Sequence, residues 1–384
     1  MKSNGYKQTD IGTIPEGWGV KPLGEIATLQ RGKDLPKQKW REGLYPIVGS
    51  NGVIGLHDEY FLEGAGVVTG RSGTVGKATY VDGRYWAHNT SLYVKDFHGN
   101  HPKFVYYLFQ KVDFQKYATG VSVPTLNRNF VHLALLPLPP LPEQRTIAAI
   151  LSKIQQAIEV QEKIIERTKE LKKSLMAKLF TEGLHGEELK ETEIGLMPKS
   201  WEIVSVETLF ECHDGKRIPV TKADRTAGQF PYYGASGITD YVINYIFDGD
   251  FLLVAEDGEN LESRKLPIAF IACGKFWVNN HAHILKIRKG SLKFYEQYIA
   301  QMDIRDYLTG TTRPKLTKGL LMNMRVPNPS EEEQEEIGQR LKLIEEKVNI
   351  HTRKHSVLQA LFKSMLHQLM TGTIRVNNIE LSAP

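Results

Sequence analysis

The chain is poor in cysteine. Of its 384 residues only Cys212 and Cys273 carry thiols, and both lie in the second half. That leaves no disulfide or thiolate–metal framework common to the two halves, and a reducing cytoplasm is the expected setting. Long apolar runs are lacking too. The most apolar stretch, residues 133–142, is interrupted by Pro137, Pro139, Pro140 and Pro142. Neither a membrane-spanning helix nor a signal peptide is expected.

Several chemistries also lack their sequence marks. Asn328-Pro329-Ser330 is the nearest string to the Asn/Asp-Pro-Pro-aromatic motif that grips a flipped adenine, and it lacks the second proline and the aromatic ring. Gly64-Ala65-Gly66 is too short for a methyl-donor loop and sits among turn glycines. Between Gly70 and Gly76-Lys77 lie five residues, where a phosphate loop has four, and Ala78 stands where a magnesium-binding hydroxyl belongs. The acidic string Glu256-Asp257-Gly258-Glu259 has Gly70-Arg71-Ser72-Gly73 as its counterpart in the first half, so no nuclease carboxylates recur. His281 and His283 find no Cys or His cluster to complete a metal site. No catalytic residue and no metal site is expected.

Charged residues make up 24% and apolar residues 41%, ordinary values for a globular protein, and the net charge is +5. The excess is uneven: residues 1–142 hold 16 Lys and Arg against 11 Asp and Glu, residues 183–329 hold 18 against 19. A basic balance leans toward nucleic acid. If both halves bind it, the second does so through a local patch.

What the chain does have is a duplication. Thr192-Glu-Ile-Gly-Leu-Met-Pro198-Lys-Ser-Trp201 repeats Thr9-Asp-Ile-Gly-Thr-Ile-Pro15-Glu-Gly-Trp18, and Glu333-Gln334 repeats Glu143-Gln144. A period this long means two complete modules and not a solenoid. Each begins with short β-branched and aromatic runs between glycine turns, such as Tyr45-Pro-Ile-Val-Gly49 or Phe251-Leu-Leu-Val-Ala255, which read as strands. A helix is expected over 102–117 in the first and 292–307 in the second.

Residues 143–180 contain neither proline nor glycine, and carry Ile147, Leu151, Ile154 and Ile158 at alternating intervals of four and three. Ile337, Leu341, Ile344 and Val348 continue the same seam in a second helix over 331–369. Ser330 with Glu333 forms a capping box, and Gly183 and Gly372 suit the position after each helix. About 38 residues per helix give roughly 55 Å, more than a small domain needs, so the two helices are expected to pair antiparallel as a coiled coil. Those eight apolar residues are expected to carry the pairing. The expected fold is α+β: two α/β domains, two long helices and an internal pseudo-two-fold repeat. The domains are 1–141 and 183–329, the helical regions 142–182 and 330–375, and the tail 376–384.

Loop chemistry diverges where the scaffold motifs agree. The first module offers Ser50, Asn51, Arg71, Ser72, Lys77, Asn89, Thr90 and Ser91; the second offers Ser236, Glu256, Asp257, Asn280 and His281. Arg suits guanine, Asn adenine, and a carboxylate the cytosine amino group. Ordinary turns prefer the same residue types. A third pair of loops holds Ser122, Thr125 and Asn127, matched by Thr312, Arg313, Lys315 and Thr317, and suits phosphate contacts or a crossover back to the sheet.

Pro137-Leu-Pro-Pro140-Leu-Pro-Glu143-Gln144 leading into a long helix resembles the conserved region of the specificity subunit of type I restriction–modification systems. The two openings that end in Trp18 and Trp201 resemble the start of that family's target recognition domains, as do Tyr45-Pro-Ile-Val-Gly-Ser-Asn51-Gly and Phe276-Trp-Val-Asn-Asn280. Val326-Pro-Asn-Pro329-Ser-Glu departs from the pattern by losing the double proline. The resemblance implies that each domain reads one half of a bipartite site on double-stranded DNA. The helix pair would set the spacer and, with its eight seam residues, dock two methylation subunits, and restriction subunits would join the full complex. S-adenosylmethionine, ATP and magnesium would belong to those partners, and this chain would be no enzyme by itself. The alternative is a stand-alone nuclease or modification enzyme.

Overall fold

The computed structural model describes residues 5–376 apart from 121, 311 and 312. Internal contacts divide the chain into two compact units, one running to Glu162 and resuming at Arg353, the other Lys163–Thr352. The division falls inside both long helices, Leu141–Glu182 and Glu331–Met370. Each unit therefore owns the beginning of one helix and the end of the other.

In the first unit a hairpin, Tyr6–Thr9 against Gly12–Pro15, precedes two four-stranded sheets. One sheet orders Thr28–Arg31, Ser91–Asp96, Gly66–Gly70 and Ala78–Val81, all antiparallel. Its strand Gly66–Gly70 is buried throughout, as its unbroken Val67-Val68-Thr69 run requires. The other sheet orders Gly52–His57, Tyr45–Gly49, Arg84–Ala87 and Leu62–Glu63, with Trp86 opposite Ile47 in a parallel pair. The second unit repeats the plan. Phe210–Cys212, Ala282–Ile287, Phe251–Ala255 and Ala269–Ala272 make one sheet, and Gly237–Val242, Ala227–Gly234, Lys275–Val278 and Phe247–Asp248 the other.

The shorter helices stop before their expected ends. The first is Pro102–Phe109, followed by a 3-10 turn at Phe114–Tyr117 that brings Phe114 back onto Phe109, ring centroids 5.4 Å apart. The second is Leu292–Gln301, followed by Arg305–Tyr307. Arg264 donates to the Ala300 and Met302 carbonyls and so satisfies that helix end.

The seam holds. Ile147, Leu151, Ile337 and Leu341 are fully buried, and Ile154, Ile158, Ile344 and Val348 half-buried. In the first unit Ile147 and Leu151 share a core with Leu366, Leu369 and Met370 from the end of the second helix. In the second unit Ile337 and Leu341 share a core with Leu179 and Phe180 from the end of the first. The helices therefore pair antiparallel. Their polar seam positions pair as well, His355 Nε2 with Glu162 at 2.9 Å and Lys172 with Glu345 at 3.7 Å. Burial of each such Leu or Ile is worth about 1.5–3 kcal/mol.

The repeated tryptophans and Glu-Gln pairs fasten the helices. Trp18 Nε1 donates to Glu143 at 2.9 Å, and Trp201 Nε1 to Glu333 at 2.9 Å. Gln144 takes the His101 amide on its oxygen and donates to Asn100 and to the Pro139 carbonyl. Gln334 does likewise with the Ser291 amide, Asn328 and Pro329. Only half of the expected capping box forms. Ser330 Oγ accepts the Glu333 amide, but the Glu333 carboxylate turns instead to Trp201 and the Leu184 amide. Gly183 and Gly372 follow the helices with φ of 66° and 70°, left-handed values that a glycine adopts without strain.

Candidate nucleic-acid interface

In the first unit three loops meet at the rim of the sheets. The Arg71 and Ser72 amides donate to the Thr90 carbonyl at 2.9 and 3.1 Å. The Leu126 amide donates to the Arg71 carbonyl at 2.7 Å, the Gly73 amide to Pro124 at 3.3 Å, and Ser72 bridges Thr125. Gly70 lets the Ser50 turn close in, since a Cβ there would lie 2.6 Å from the Ser50 carbonyl oxygen. Lys77 Nζ donates to both the side-chain and backbone oxygens of Asn51 at 2.9 Å. Ser50, Asn51, Arg71, Ser72, Lys77, Asn89, Thr90 and Thr125 thus form one cluster.

The second unit builds the same frame. The Glu256 amide donates to His281 at 2.9 Å, the Leu316 amide to the Glu256 carbonyl at 2.8 Å and the Gly258 amide to Pro314 at 3.1 Å, while Asp257 bridges Lys315. By three of these hydrogen bonds and the bridge, Arg71-Ser72-Gly73 corresponds to Glu256-Asp257-Gly258; the Ser72 amide bond to Thr90 is the one not repeated. The Gly70–Lys77 stretch that counts like a phosphate loop runs into the strand Ala78–Val81 and not into a helix, so no helix N-terminus faces a phosphate there.

The electrostatics of the two frames differ. Burial first, and then the charge of Arg31, lower the pKa of Arg71. Arg31 and Arg71 both turn Nε to the Asn89 carbonyl, at 3.4 and 3.1 Å. In the second unit Glu256 takes Arg217 Nη1 at 2.5 Å and Lys315 Nζ at 3.2 Å. Asp257 takes His281 Nδ1 and Arg313 Nη2, each at 2.9 Å. The acids anchor the cations of the third loop, and this neutralises a surface whose domain carries no excess of basic residues.

Several expected contacts are revised by what the side chains touch. Ser91 is fully buried and donates to the Val48 and His88 carbonyls, so it holds a turn. Asn89 gives its amide to Asp34 and its carbonyl to the two arginines, so it positions neighbours instead of offering a free edge. Asn127 and Thr317 cap short helices, accepting the Asn129 and Leu320 amides. Ser236 accepts from Asn260. Asn280 and Ser122 are exposed, as are Arg313 and Lys315. Thr312 lies outside the described residues.

Asp214, Glu256 and His283 stand together, a group built from carboxylates and not from the Cys or His neighbours considered above, because the turn after Phe210–Cys212 delivers Asp214 from a distant stretch. His283 Nδ1 lies 2.6 Å from Asp214, and Arg217 Nη2 lies 3.4 Å from it. Burial opposes ionisation of Asp214, but the His283 hydrogen bond and charge, the Ile284 amide and Arg217 outweigh it, and its pKa falls below the ordinary value. Arg217 bridges two of the three members of this cluster, so a guanidinium already supplies its positive charge.

Arg31 and Arg217 escaped sequence reasoning. The signal was there: Arg31-Gly-Lys33 closes the strand Thr28–Arg31, and Asp214-Gly-Lys216 follows the corresponding strand Phe210–Cys212.

The type I restriction modification DNA specificity domain matches the chain twice, over residues 15–170 and 198–360. The MjaVIII type I restriction enzyme specificity subunit of Methanocaldococcus jannaschii is 26% identical over 98% of this chain and 98% of its own. The crystal structure of the type I restriction–modification S subunit from M. genitalium superposes with a TM-score of 0.70 at 17% identity, covering 96% of this chain and 98% of that one. A chain from a study of complex assembly in a type I system gives a TM-score of 0.51 at 17% identity, covering 94% of this chain and 99% of its own. With the domain matched in both halves, the chain belongs to the family of type I restriction–modification specificity subunits.

Proposed function

We propose that this chain is the DNA-reading subunit of a type I restriction–modification complex, each unit reading one half of a bipartite duplex site. One observation carries the reading: a single backbone frame, repeated in three hydrogen bonds and one bridge, presents Arg71-Ser72 in one unit and Glu256-Asp257 in the other. A scaffold kept constant while the charge it carries inverts is suited to two different words. The helix pair sets the spacer.

Two methylation subunits dock along the long helices, and restriction subunits join the full assembly. Two corresponding grooves favour paired docking. One, of about 360 Å³, lies between Tyr80, Lys103, Tyr106, Gln156 and Glu159; the other, of about 530 Å³, lies between Ile271, Lys293, Gln339, Lys342 and Leu343. The half-buried seam residues Ile154, Ile158, Ile344 and Val348 serve helix pairing, whereas Ile147, Leu151, Ile337 and Leu341 lie in the unit cores and offer nothing to a partner. S-adenosylmethionine, ATP and magnesium belong to the partners. The site of action is the cytoplasm; among the described residues no helix is long and apolar enough to cross a membrane.

The test is duplex binding by the chain assembled with its methylation partners. Affinity should fall steeply with salt and depend on two separated sequence blocks. Sequence-independent binding, or cleavage or methylation of DNA by the chain alone, refutes the reading.

A further inference from the structure

Two positions in the frame change sign together. Arg71 becomes Glu256, as the matched hydrogen bonds require, and Arg31-Gly-Lys33 becomes Asp214-Gly-Lys216. In the second unit the two acids enclose Arg217, which also reaches the Asn280 carbonyl at 3.4 Å. Asn280 matches Asn89, each being the third residue after the repeated tryptophan, Trp277 or Trp86. One carbonyl therefore anchors guanidinium groups in both units. In the second unit it holds one, neutralised on two sides. In the first it holds two, Arg31 and Arg71, and among the described residues neither forms an ion pair with a carboxylate.

Two like charges gathered on one carbonyl repel each other, and the Asp34 carboxylate bonds the Asn89 side chain. Their geometry is nevertheless fixed, because Asp34 holds the Asn89 side chain and the Asn89 carbonyl holds both Nε groups. With Nε occupied, the donors left on each arginine are the two Nη groups, a fork that matches an edge with two acceptors. The major-groove edge of guanine, with O6 and N7, is such an edge.

We propose that Arg31 and Arg71 form a paired clamp for guanine in the half-site read by the first domain. The second domain, with Asp214 and Glu256 at those positions, reads no guanine at the matching step. The assignment rests on the DNA-reading function proposed above and adds the base, its readers and the asymmetry between the half-sites.

The experiment enriches bound duplexes from a randomised library, using the full chain assembled with its methylation subunits, for wild type, Arg71→Ala and Arg31→Ala. Wild type should select guanine at one or two adjacent base pairs of one block. Each variant should lose that preference by roughly five- to a hundredfold at its own base pair and keep the remaining positions. Arg31 is exposed and at the end of its strand, so its replacement leaves the core intact even where Arg71→Ala unfolds the loop. Equal weakening on all sequences would mean phosphate contacts and would overturn the clamp, as would unchanged preferences. A wild-type complex that selects no sequence would overturn the DNA-reading function itself and the clamp with it.

Discussion

The joint between Trp201 and Glu333 lends itself to a double-mutant cycle. The Glu333 carboxylate is 5% exposed and accepts from Trp201 Nε1 at 2.9 Å and from the Leu184 amide at 2.8 Å. It lies in the first turn of the second long helix, where the macrodipole also favours negative charge. Glu333→Ala strands two buried donors, at about 1–3 kcal/mol each, and should destabilise the second unit by about 3–5 kcal/mol in all. Glu333→Gln retains one acceptor and should cost less. The coupling between Trp201→Phe and Glu333→Gln should be about 1.5–3 kcal/mol, the range for a hydrogen bond to a charged group. The corresponding pair, Trp18 and Glu143, should couple more weakly, because Glu143 keeps the full positive charge of Arg375 at 2.9 and 3.2 Å when Trp18 is replaced, where Glu333 keeps only the neutral Leu184 amide. Urea unfolding followed by far-ultraviolet circular dichroism supplies the four stabilities of each cycle. Coupling below about 0.5 kcal/mol at Trp201–Glu333, or a stronger coupling at Trp18–Glu143, would refute the view that these bonds fasten the helices.

Other outcomes test other parts of the structure. Gly70→Ala places a Cβ 1.8 Å from the Thr74 carbonyl oxygen, so it should destabilise the first unit by about 1–3 kcal/mol and abolish preference in one half-site only; intact recognition of both halves would contradict the loop assembly. Burial, and then the charge of Arg128, lower the pKa of His132, whose Nε2 accepts the Leu29 amide. Its folded form favours the neutral ring, so this contribution is present above about pH 6.5 and is lost as pH falls through the lower folded value. In melting curves from pH 5 to 8, His132→Gln, which keeps an acceptor without titrating, should flatten the acid-side decline, and an unaltered slope would count against the assignment. Removing one heptad from each long helix shortens each by about 10 Å, close to three base pairs of duplex, and methylation-site mapping should then show a shorter spacer between unchanged half-sites. An unchanged spacer would sink the idea that the helices set it.

Much of the fold was legible because it rests on periodic signals. The intervals from Ile147 to Ile158 and from Ile337 to Val348 revealed both long helices, and Gly183 and Gly372 marked their ends within a few residues. The repeated Trp and Glu-Gln positions could be paired by eye, but not the bonds that explain them. Sequence shows that Glu143 follows Trp18 by 125 residues, not that tertiary packing brings one under the other. Glu333 looked like half of a local capping box for the same reason: local rules cannot see a buried indole competing for the carboxylate. The site was legible as loops and not as roles. Ser91 and Asn89 have the side chains of base readers, yet burial commits the first to backbone carbonyls and Asp34 engages the second. Arg217 was invisible because its meaning depends on two acids 3 and 39 positions away in the chain.

The interleaving of the two units bears on the order in which the protein can be made. The first unit's core includes Leu366, Leu369, Met370 and Val376, from the last part of the chain. A ribosome must deliver Lys163–Thr352 before those side chains exist. At roughly 5–20 residues per second, that is a wait of about ten to forty seconds during which the amino-terminal module holds an open apolar seam. The second unit, continuous in sequence, meets no such delay, so the domain translated first is the last to finish.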